Sequence, residues 1–597
     1  MSAKVVDHVL ESLRARGVER VFGCPGDGVD DVDGLLAAWG GAGDLPGLVR
    51  ARHEEAAALE AVGYAKSGDR LGVCVAGWGL GAAHLLAGLY DAKADRVPVL
   101  ALVGRTDHAA PGGAYRPESD PHALFEDVAG EFVETVTAPE RLPDAIDRAI
   151  TTAYARRCPT VVILPGDGQE PDHHLPGHAP ATALADTRTP LPSPDALRRV
   201  AKVLNDGERA ALLVGPGAAG ARAEVEELAE LLGAGVAKTL LGKDVLSDEL
   251  PYVTGVLGPS GTRPGYELMR DCDTLLTIGA GHPHPDFLPE PGKARSVRID
   301  LDAQEGGARY PDAYPYPYPY PYEEDVVGDA RATLRDLIPL IDEERRSVSR
   351  EWYDEICAGV RRWDAVLAHR AALDADPLHP EHVARALDPL LPGDAVIICD
   401  TGPVATWYAR HLRLRGAMRA SLSGTLAVPG CAVPYAIGAK FAHPDRPVLA
   451  LVGDGAMRRG GLAELVAVAG HRHDWDDARL VVGVWNDAPD VPYAEFARSL
   501  GLTGLRVDRP EDVAAAWRAG LGAPGPALVE FRTDPAVPPL PPHATWEQVE
   551  SAAAALLTGD ADAVAAVRQG LKAKVQEFLP GVGRPGDDGG ARESDGH

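Results

Sequence analysis

Cysteine is scarce in this sequence. Seven occur in 597 residues, at positions 24, 74, 158, 272, 357, 399 and 431, an odd number with no CxxC pair among them. That pattern excludes a disulfide framework or a cysteine-built zinc site, and contexts such as LGVCVAG and AVIICD predict buried thiols in a reducing compartment. Long apolar runs are missing too, none reaching the ~18 residues that a membrane helix needs. The opening MSAKVVDHVLESLRARG is amphipathic rather than signal-like, so a cytoplasmic location is expected and membrane contact is not. Basic charge is in deficit: 59 Lys and Arg stand against 88 Asp and Glu, a net −29. Such a chain lacks the phosphate-neutralising surface of a duplex binder, so no nucleic-acid partner is expected. What remains, 45% hydrophobic and 25% charged residues, is the composition of a globular chain with ample core.

Three segments share one rhythm of short apolar strand, glycine turn and amphipathic helix. The first, to about residue 170, carries RVFGC, LGVCVAG, VPVLALVG and TVVILPG. A Pro-rich stretch from about Pro171 to Pro194 reads as a linker. The second carries AALLVGPGAAG, TLLTIGAG and ARSVRIDLD, and the third DAVIICDTG, RPVLALVGDGAM, ARLVVGVWND and PALVEFRTD. Buried strands alternating with helices predict an α/β protein of doubly wound, mostly parallel sheets. Beyond residue 545 a charged helical pattern leads to VGRPGDDGGARESDGH, which has too little apolar character to pack. Tyr314 to Tyr322 read YPYPYPYPY, which forbids a helix and is expected to be an extended surface insertion.

The tripeptide Gly-Asp-Gly occurs three times, at Gly26–Gly28, Gly166–Gly168 and Gly453–Gly455. The third stands out by its surroundings. A strong apolar strand delivers Asp454 at its carboxyl end, a helical pattern follows, and the next strand ends in Trp485-Asn486-Asp487. Ligands of open α/β sheets bind at such strand ends. Hard oxygen donors there suit Mg²⁺, which completes its shell with phosphate and water, and glycines let backbone N–H groups approach a diphosphate. An ordinary strand-end turn is the alternative.

Taken in order, these motifs resemble the thiamine-diphosphate enzymes of the pyruvate oxidase and acetolactate synthase group, over essentially the whole chain to about residue 545. The resemblance rests on Cys24-Pro25-Gly26-Asp27, on Arg52-His53-Glu54-Glu55 with the helix through Gly63-Tyr64-Ala65, on Tyr408-Ala409-Arg410-His411, on Ser423-Gly424-Thr425, and on Gly453-Asp454-Gly455-Ala456. It implies a pyrimidine-binding domain (1–170), a central domain (190–345), a diphosphate-binding domain (375–545) and a helical tail with a disordered end (546–597). It also implies thiamine diphosphate and Mg²⁺ as cofactors, a small 2-oxo acid such as pyruvate as substrate, and a homodimer or homotetramer whose sites form between subunits. By that resemblance Glu54 is catalytic, a carboxylate hydrogen-bonded to the cofactor's pyrimidine ring and best partly desolvated. Gly26, Gly424, Thr425, Gly453, Gly455 and Ala456 would cradle the cofactor. Asp454, with either Asn486 or Asp487, would hold the metal.

The central segments around Gly215, Gly217, Gly279 and Asp300 resemble those that hold FAD in oxidase-like members, and a flavin-free structural domain is the alternative. Gly215-Pro216-Gly217-Ala218-Ala219-Gly220 also fits a nicotinamide-binding turn, but as a single local match. His173, His174, His282, His284, His471 and His473 read as surface or loop residues rather than metal ligands.

Four departures bear on activity. Trp78 interrupts the glycine turn Gly77–Gly81, Pro117 replaces a site-facing glutamine, Pro429 stands where a bulky residue props the cofactor, and Asn486-Asp487 runs almost at once into Pro492-Tyr493. The last removes a loop and helix that would close over the diphosphate. The rival to a decarboxylase or carboligase is therefore a degenerate homologue acting as a partner subunit.

Overall fold

A computed structural model describes residues 3–24, 47–77, 79–104, 120–138, 141–164, 190–281, 285–303, 320–342, 350–475, 477, 479–488 and 491–542. The C-terminal tail, most of the Tyr-Pro repeat, Gly26, Trp78, Pro117 and His173, His174, His282 and His284 lie outside the described residues.

Among the described residues eighteen strands form three six-stranded parallel sheets. The first holds β1 (Arg20–Gly23), β2 (Gly47–Arg50), β3 (Gly72–Ala76), β4 (Val99–Val103), β5 (Val133–Thr135) and β6 (Pro159–Ile163). The second holds β7 (Ala210–Val214), β8 (Gly235–Lys238), β9 (Val253–Val256), β10 (Thr274–Ile278), β11 (Arg295–Asp300) and β12 (Glu324–Val327). The third holds β13 (Val396–Cys399), β14 (Arg419–Ser421), β15 (Val448–Gly453), β16 (Leu480–Asn486), β17 (Thr503–Val507) and β18 (Ala527–Arg532). The fold is α/β and doubly wound, with helices flanking each sheet.

The first and third sheets have the same topology, β2-β1-β3-β4-β6-β5 and β14-β13-β15-β16-β18-β17. In each, strand order reverses beside the first strand, which opens a crevice at the carboxyl ends there. The two sheets meet through equivalent helices, Glu54–Gly68 and Ala432–Ala442. Neither sequence is amphipathic: EEAAALEAVGYAKSG is alanine-rich on every side, and all eleven residues of AVPYAIGAKFA are buried. A helix apolar all round has no solvent face to present and must be packed on both sides. Lys66, paired with Asp95 of its own domain (2.6 Å), donates across this interface to the Leu422 carbonyl (2.9 Å) and to the Tyr435 hydroxyl (3.1 Å).

Two local expectations shift. Pro194 does not close the linker but opens the helix Pro194–Asp206, capped by Ser193 Oγ accepting from the Ala196 N–H. Proline suits a first helical turn because its missing N–H has no partner there anyway. The end of the Tyr-Pro repeat is no surface insertion: Tyr320 is buried in one apolar cluster with Met269, Leu275 and Trp352, and its ring meets that of Tyr322 edge-on at 5.0 Å. Among the described residues no helix is long and apolar enough to cross a membrane. All seven cysteines are free, and five of them are buried.

Candidate functional site

The third sheet places Asp454 and Asp487 together. β15 and β16 pair in parallel with Gly453 opposite Trp485, so Asp454 and the residues after Trp485 emerge at one level. The Asp487 carboxyl faces that of Asp454, and burial, reinforced by that neighbour, pushes it up to about 7. Asn486 turns the other way, as strand alternation requires. Its Nδ2 donates to Glu530 Oε1 (2.8 Å) and to the Val491 carbonyl (3.3 Å), while its buried Oδ1 has no partner. Glu530 in turn accepts from the Ala494 N–H (2.9 Å), tying the start of helix Tyr493–Ser499 to the end of β18. Tyr493 donates its hydroxyl to the Asp454 carbonyl (3.1 Å), so the segment that follows the short connection from Asp487 sits directly against the aspartate.

Above the glycines there is room. A Cβ built on Gly453 or Gly455 would meet nothing within 4 Å, whereas Ala456 is buried beneath the turn. Helix then continues through a π-helical turn, Met457–Gly461, a distortion common at functional sites. From its first residues Arg458 reaches back to donate to the Asp454 carboxylate.

On the far side of β15 stands Asp400, at the end of β13 and fully buried. Its carboxylate accepts from the backbone N–H groups of Thr401 (2.8 Å), Gly430 (3.0 Å) and Ala432 (3.0 Å). Burial raises its pKa and these three donors oppose the rise. Gly430 so held has φ +94° and lies against Gly460 of the π-helical turn, while Pro429 beside it is exposed. Gly424 and Thr425 both donate their backbone N–H groups to Asp95 of the first domain (2.9 Å each).

Glu54 opens the helix that follows β2. His53 caps that helix, its Nδ1 accepting from the Glu55 N–H (3.2 Å). Glu54 Oε2 lies 3.0 Å from His84 Nδ1, and its side chain retains 23% exposure. Gly81 leaves it room, since a Cβ there would stand 3.2 Å from Glu54 Oε1. Among the described residues no hydrogen bond or ion pair joins Glu54 to Asp454.

In the central domain the glycines pack on each other. Gly215 N–H donates to the Ile278 carbonyl and Gly217 N–H to the Gly279 carbonyl, each at 3.0 Å, and a Cβ on Gly217 would fall 2.8 Å from Gly279 Cα. Asp300 is buried and committed to Arg298 (3.2 Å) and to the Leu301 N–H (2.8 Å). Asp300 is thus already paired, and Gly215, Gly217 and Gly279 serve the packing of two strand-end turns, whereas a Cβ on Gly220 or Gly281 would meet nothing within 4 Å. His471 is held between Asp474 (2.7 Å) and the Arg50 carbonyl (3.2 Å), and His473 takes a hydrogen bond from its neighbour Arg472.

His84 and Arg458 carry no spacing signal of their own; Asp400 had one, standing in a strand-Asp-Thr-Gly turn like that around Asp454.

Family models match in three places: the N-terminal TPP-binding domain of thiamine pyrophosphate enzymes over residues 3–124, their central domain over 197–337 and their C-terminal TPP-binding domain over 400–488. The chain is 30% identical to "Putative thiamine pyrophosphate-containing protein YdaP" of Bacillus subtilis (strain 168), over 91% of this chain and 93% of that protein. It is 31% identical to pyruvate oxidase of Lactiplantibacillus plantarum, over 75% of this chain and 72% of the oxidase. Identity to the acetolactate synthase large subunit of Cyanidium caldarium is 26%, over 87% of this chain and 92% of that one.

Proposed function

The chain belongs to the thiamine pyrophosphate enzymes, and we propose that within that family it binds thiamine diphosphate with Mg²⁺ to decarboxylate a small 2-oxo acid such as pyruvate. The facing carboxyls of Asp454 and Asp487 carry this reading. Two acids brought together at adjacent strand ends, one held near neutrality by burial and the other's proximity, form a site that a divalent cation would relieve. The donors are hard oxygens, as Mg²⁺ prefers, and the space over Gly453 and Gly455 admits a diphosphate. Asp487 rather than Asn486 is then the second metal ligand, because its carboxyl faces that of Asp454 whereas the Asn486 side chain turns toward Glu530 and the Val491 carbonyl.

When bound, the cofactor supplies an electron sink for loss of carbon dioxide from the 2-oxo acid. Glu54 supplies a carboxylate for the pyrimidine ring, and His84 fixes its orientation from the side. Tyr493, whose hydroxyl holds the Asp454 carbonyl, would limit water at that end of the site in place of a longer cover. No step here is routed through the central domain.

A second copy of the chain would complete the site. Leu80, on the helix after the glycine turn, is 71% exposed and Leu426, beside Thr425, 46%. Large apolar side chains at both cofactor-binding loops suit a subunit contact, and sedimentation would show a dimer or larger.

One observation favours the rival reading, a homologue that holds cofactor weakly and acts as a partner subunit: Arg458 already places a cation on Asp454. Calorimetric titration of the chain with thiamine diphosphate and Mg²⁺ separates the two. Mg²⁺-dependent binding, lost in Asp454→Ala and weakened in Glu54→Gln, supports the enzyme and directs a screen of 2-oxo acids. No binding at millimolar cofactor overturns it in favour of the partner subunit.

A further inference from the structure

His53, Glu54 and His84 offer one ligand atom each within 4.8 Å of one another. The two imidazole rings lie side by side, centroids 4.3 Å apart and planes tilted by 34°. The Glu54 carboxylate is already 3.0 Å from His84 Nδ1, a separation close to that of two donors sharing one small ion. Glu54 and His84 are half-buried and His53 is exposed, so an ion reaches the cluster from solvent without opening the core. Local structure fixes two of the three. His53 is held as the helix cap by the Glu55 N–H, and Glu54 is the first residue of that helix. His84 is the last residue of the short helix Leu80–His84, whose Gly81 leaves the carboxylate its space.

The geometry points to a site for a borderline divalent transition-metal ion, Zn²⁺ above all, formed by His53, Glu54 and His84 and distinct from the Asp454–Asp487 pair. The donor sets sort the ions. Two imidazoles and one carboxylate are a Zn²⁺ set, with an open position left for water, whereas Mg²⁺ prefers oxygen donors and has no use for the histidines. Closing three donors onto one ion needs movements on the order of an ångström, and the exposed His53 ring makes its share by giving up the Glu55 N–H, because an imidazole that accepts that bond on Nδ1 keeps its proton on Nε2.

A consequence rests on the proposed role of Glu54 and not on the metal site itself. A carboxylate that ligates Zn²⁺ is withdrawn from the pyrimidine ring, so Zn²⁺ and thiamine diphosphate compete for Glu54.

The test uses the full chain, freed of metal by chelation and titrated with Zn²⁺ against a chromophoric chelator in excess Mg²⁺. The wild type takes up one equivalent that a His53→Gln/His84→Gln variant lacks, each single variant weakens it at least tenfold, and Asp454→Ala retains it. Equal uptake at equal affinity by wild type and double variant overturns the site, as does loss of the equivalent in Asp454→Ala. Melting curves show that the variants are folded, and Co²⁺ absorption in the visible, present in the wild type and absent from the double variant, gives an independent readout. In a second arm Zn²⁺ weakens thiamine diphosphate binding to the wild type and not to the double variant. Zn²⁺ uptake without any cofactor binding overturns the proposed function and leaves the metal site standing, while cofactor binding without the histidine-dependent equivalent does the reverse.

Discussion

Gly63 of the first domain and Tyr435 of the third touch through their backbones: a Cβ on Gly63 would lie 2.5 Å from Tyr435 Cα and 2.6 Å from its carbonyl oxygen. The contact is reciprocal, since a Cβ on Gly438 would come within 2.0 Å of the Glu60 carbonyl. Because the obstacle is backbone, no side chain can swing aside. Gly63→Ala is therefore expected to cost about 1–3 kcal/mol as overpacking, read as a lower midpoint in urea unfolding. An unchanged midpoint would show that the two domains do not cross this closely.

Arg458 competes for the carboxylate that the metal would need. The pair is partly exposed, with side-chain accessibilities of 46% and 14%, so its worth is about 1 kcal/mol or less. Arg458→Gln removes the resident cation while keeping a polar side chain at that position. Mn²⁺ binding without cofactor, followed by electron paramagnetic resonance, is expected to tighten about two- to fivefold, the equivalent of that energy. Weaker binding in the variant would mean that Arg458 positions the acid rather than competing for it.

Where Arg52, Glu60 and Glu464 meet between the first and third domains, the two carboxyls face each other closely enough to share a proton, and among the described residues no other group donates to a Glu60 oxygen. Burial, then the neighbouring acid, raises Glu60 well above the carboxylate range, and burial raises Glu464 to about 7. Arg52 supplies only a backbone N–H to Glu464 (3.1 Å) and an opposing charge. In the unfolded chain both acids ionise near ~4.3, so between there and neutrality the folded state holds more protons. This contribution to stability is full below the unfolded value and is lost as pH rises through the folded one. Stability should thus fall from about pH 4.5 toward 7 and beyond, after allowance for other groups. Glu60→Gln gives Glu464 an amide donor at every pH. It should flatten the decline and raise stability at pH 8 by on the order of 1–3 kcal/mol, measured by denaturant unfolding across pH. A steeper decline in the variant would refute the shared-proton account.

The interior strands of all three sheets were legible because they are buried on both faces: LGVCVAG, VPVLALVG, TLLTIGAG and VLALVGDG read as continuous apolar runs. The sheet edges were not. β2 (GLVR), β5 (VET), β9 (VTGV), β12 (EDVV), β14 (RAS) and β17 (TGLRV) are short and mostly half-exposed, so their composition resembles that of loops. β8 (GVAK) hid for another reason, ending in Lys238, which is buried and paired with Asp248 at 2.6 Å. In the site, spacing located Asp454 but left Asn486 and Asp487 equivalent. Only the pairing of β16 with β18, which sets Asn486 on Glu530, separates them. The approach of His84 to Glu54 joins residues 30 apart through the return of β3, and no local pattern records that.

Asp400 is the strongest test of how the diphosphate end is built. It is buried, carries no side-chain cation, and holds three backbone N–H groups from two separate turns at 2.8–3.0 Å. Hydrogen bonds to an ionised acceptor are the strong ones, and three of them outweigh much of the cost of burying the charge. Asp400→Asn preserves the size but replaces one oxygen by an NH₂ that must confront the N–H of Gly430 or Ala432. The turn at Pro429–Gly430 would then lose its anchor and Gly430 its contact with Gly460 of the π-helical turn. The expected loss is about 1–3 kcal/mol in unfolding free energy, with cofactor and Mg²⁺ affinity falling alongside. The order of the two effects matters. If stability drops and binding holds, Asp400 is a support of the fold alone. If binding falls at a temperature where the variant remains folded, the turn it anchors belongs to the diphosphate cradle.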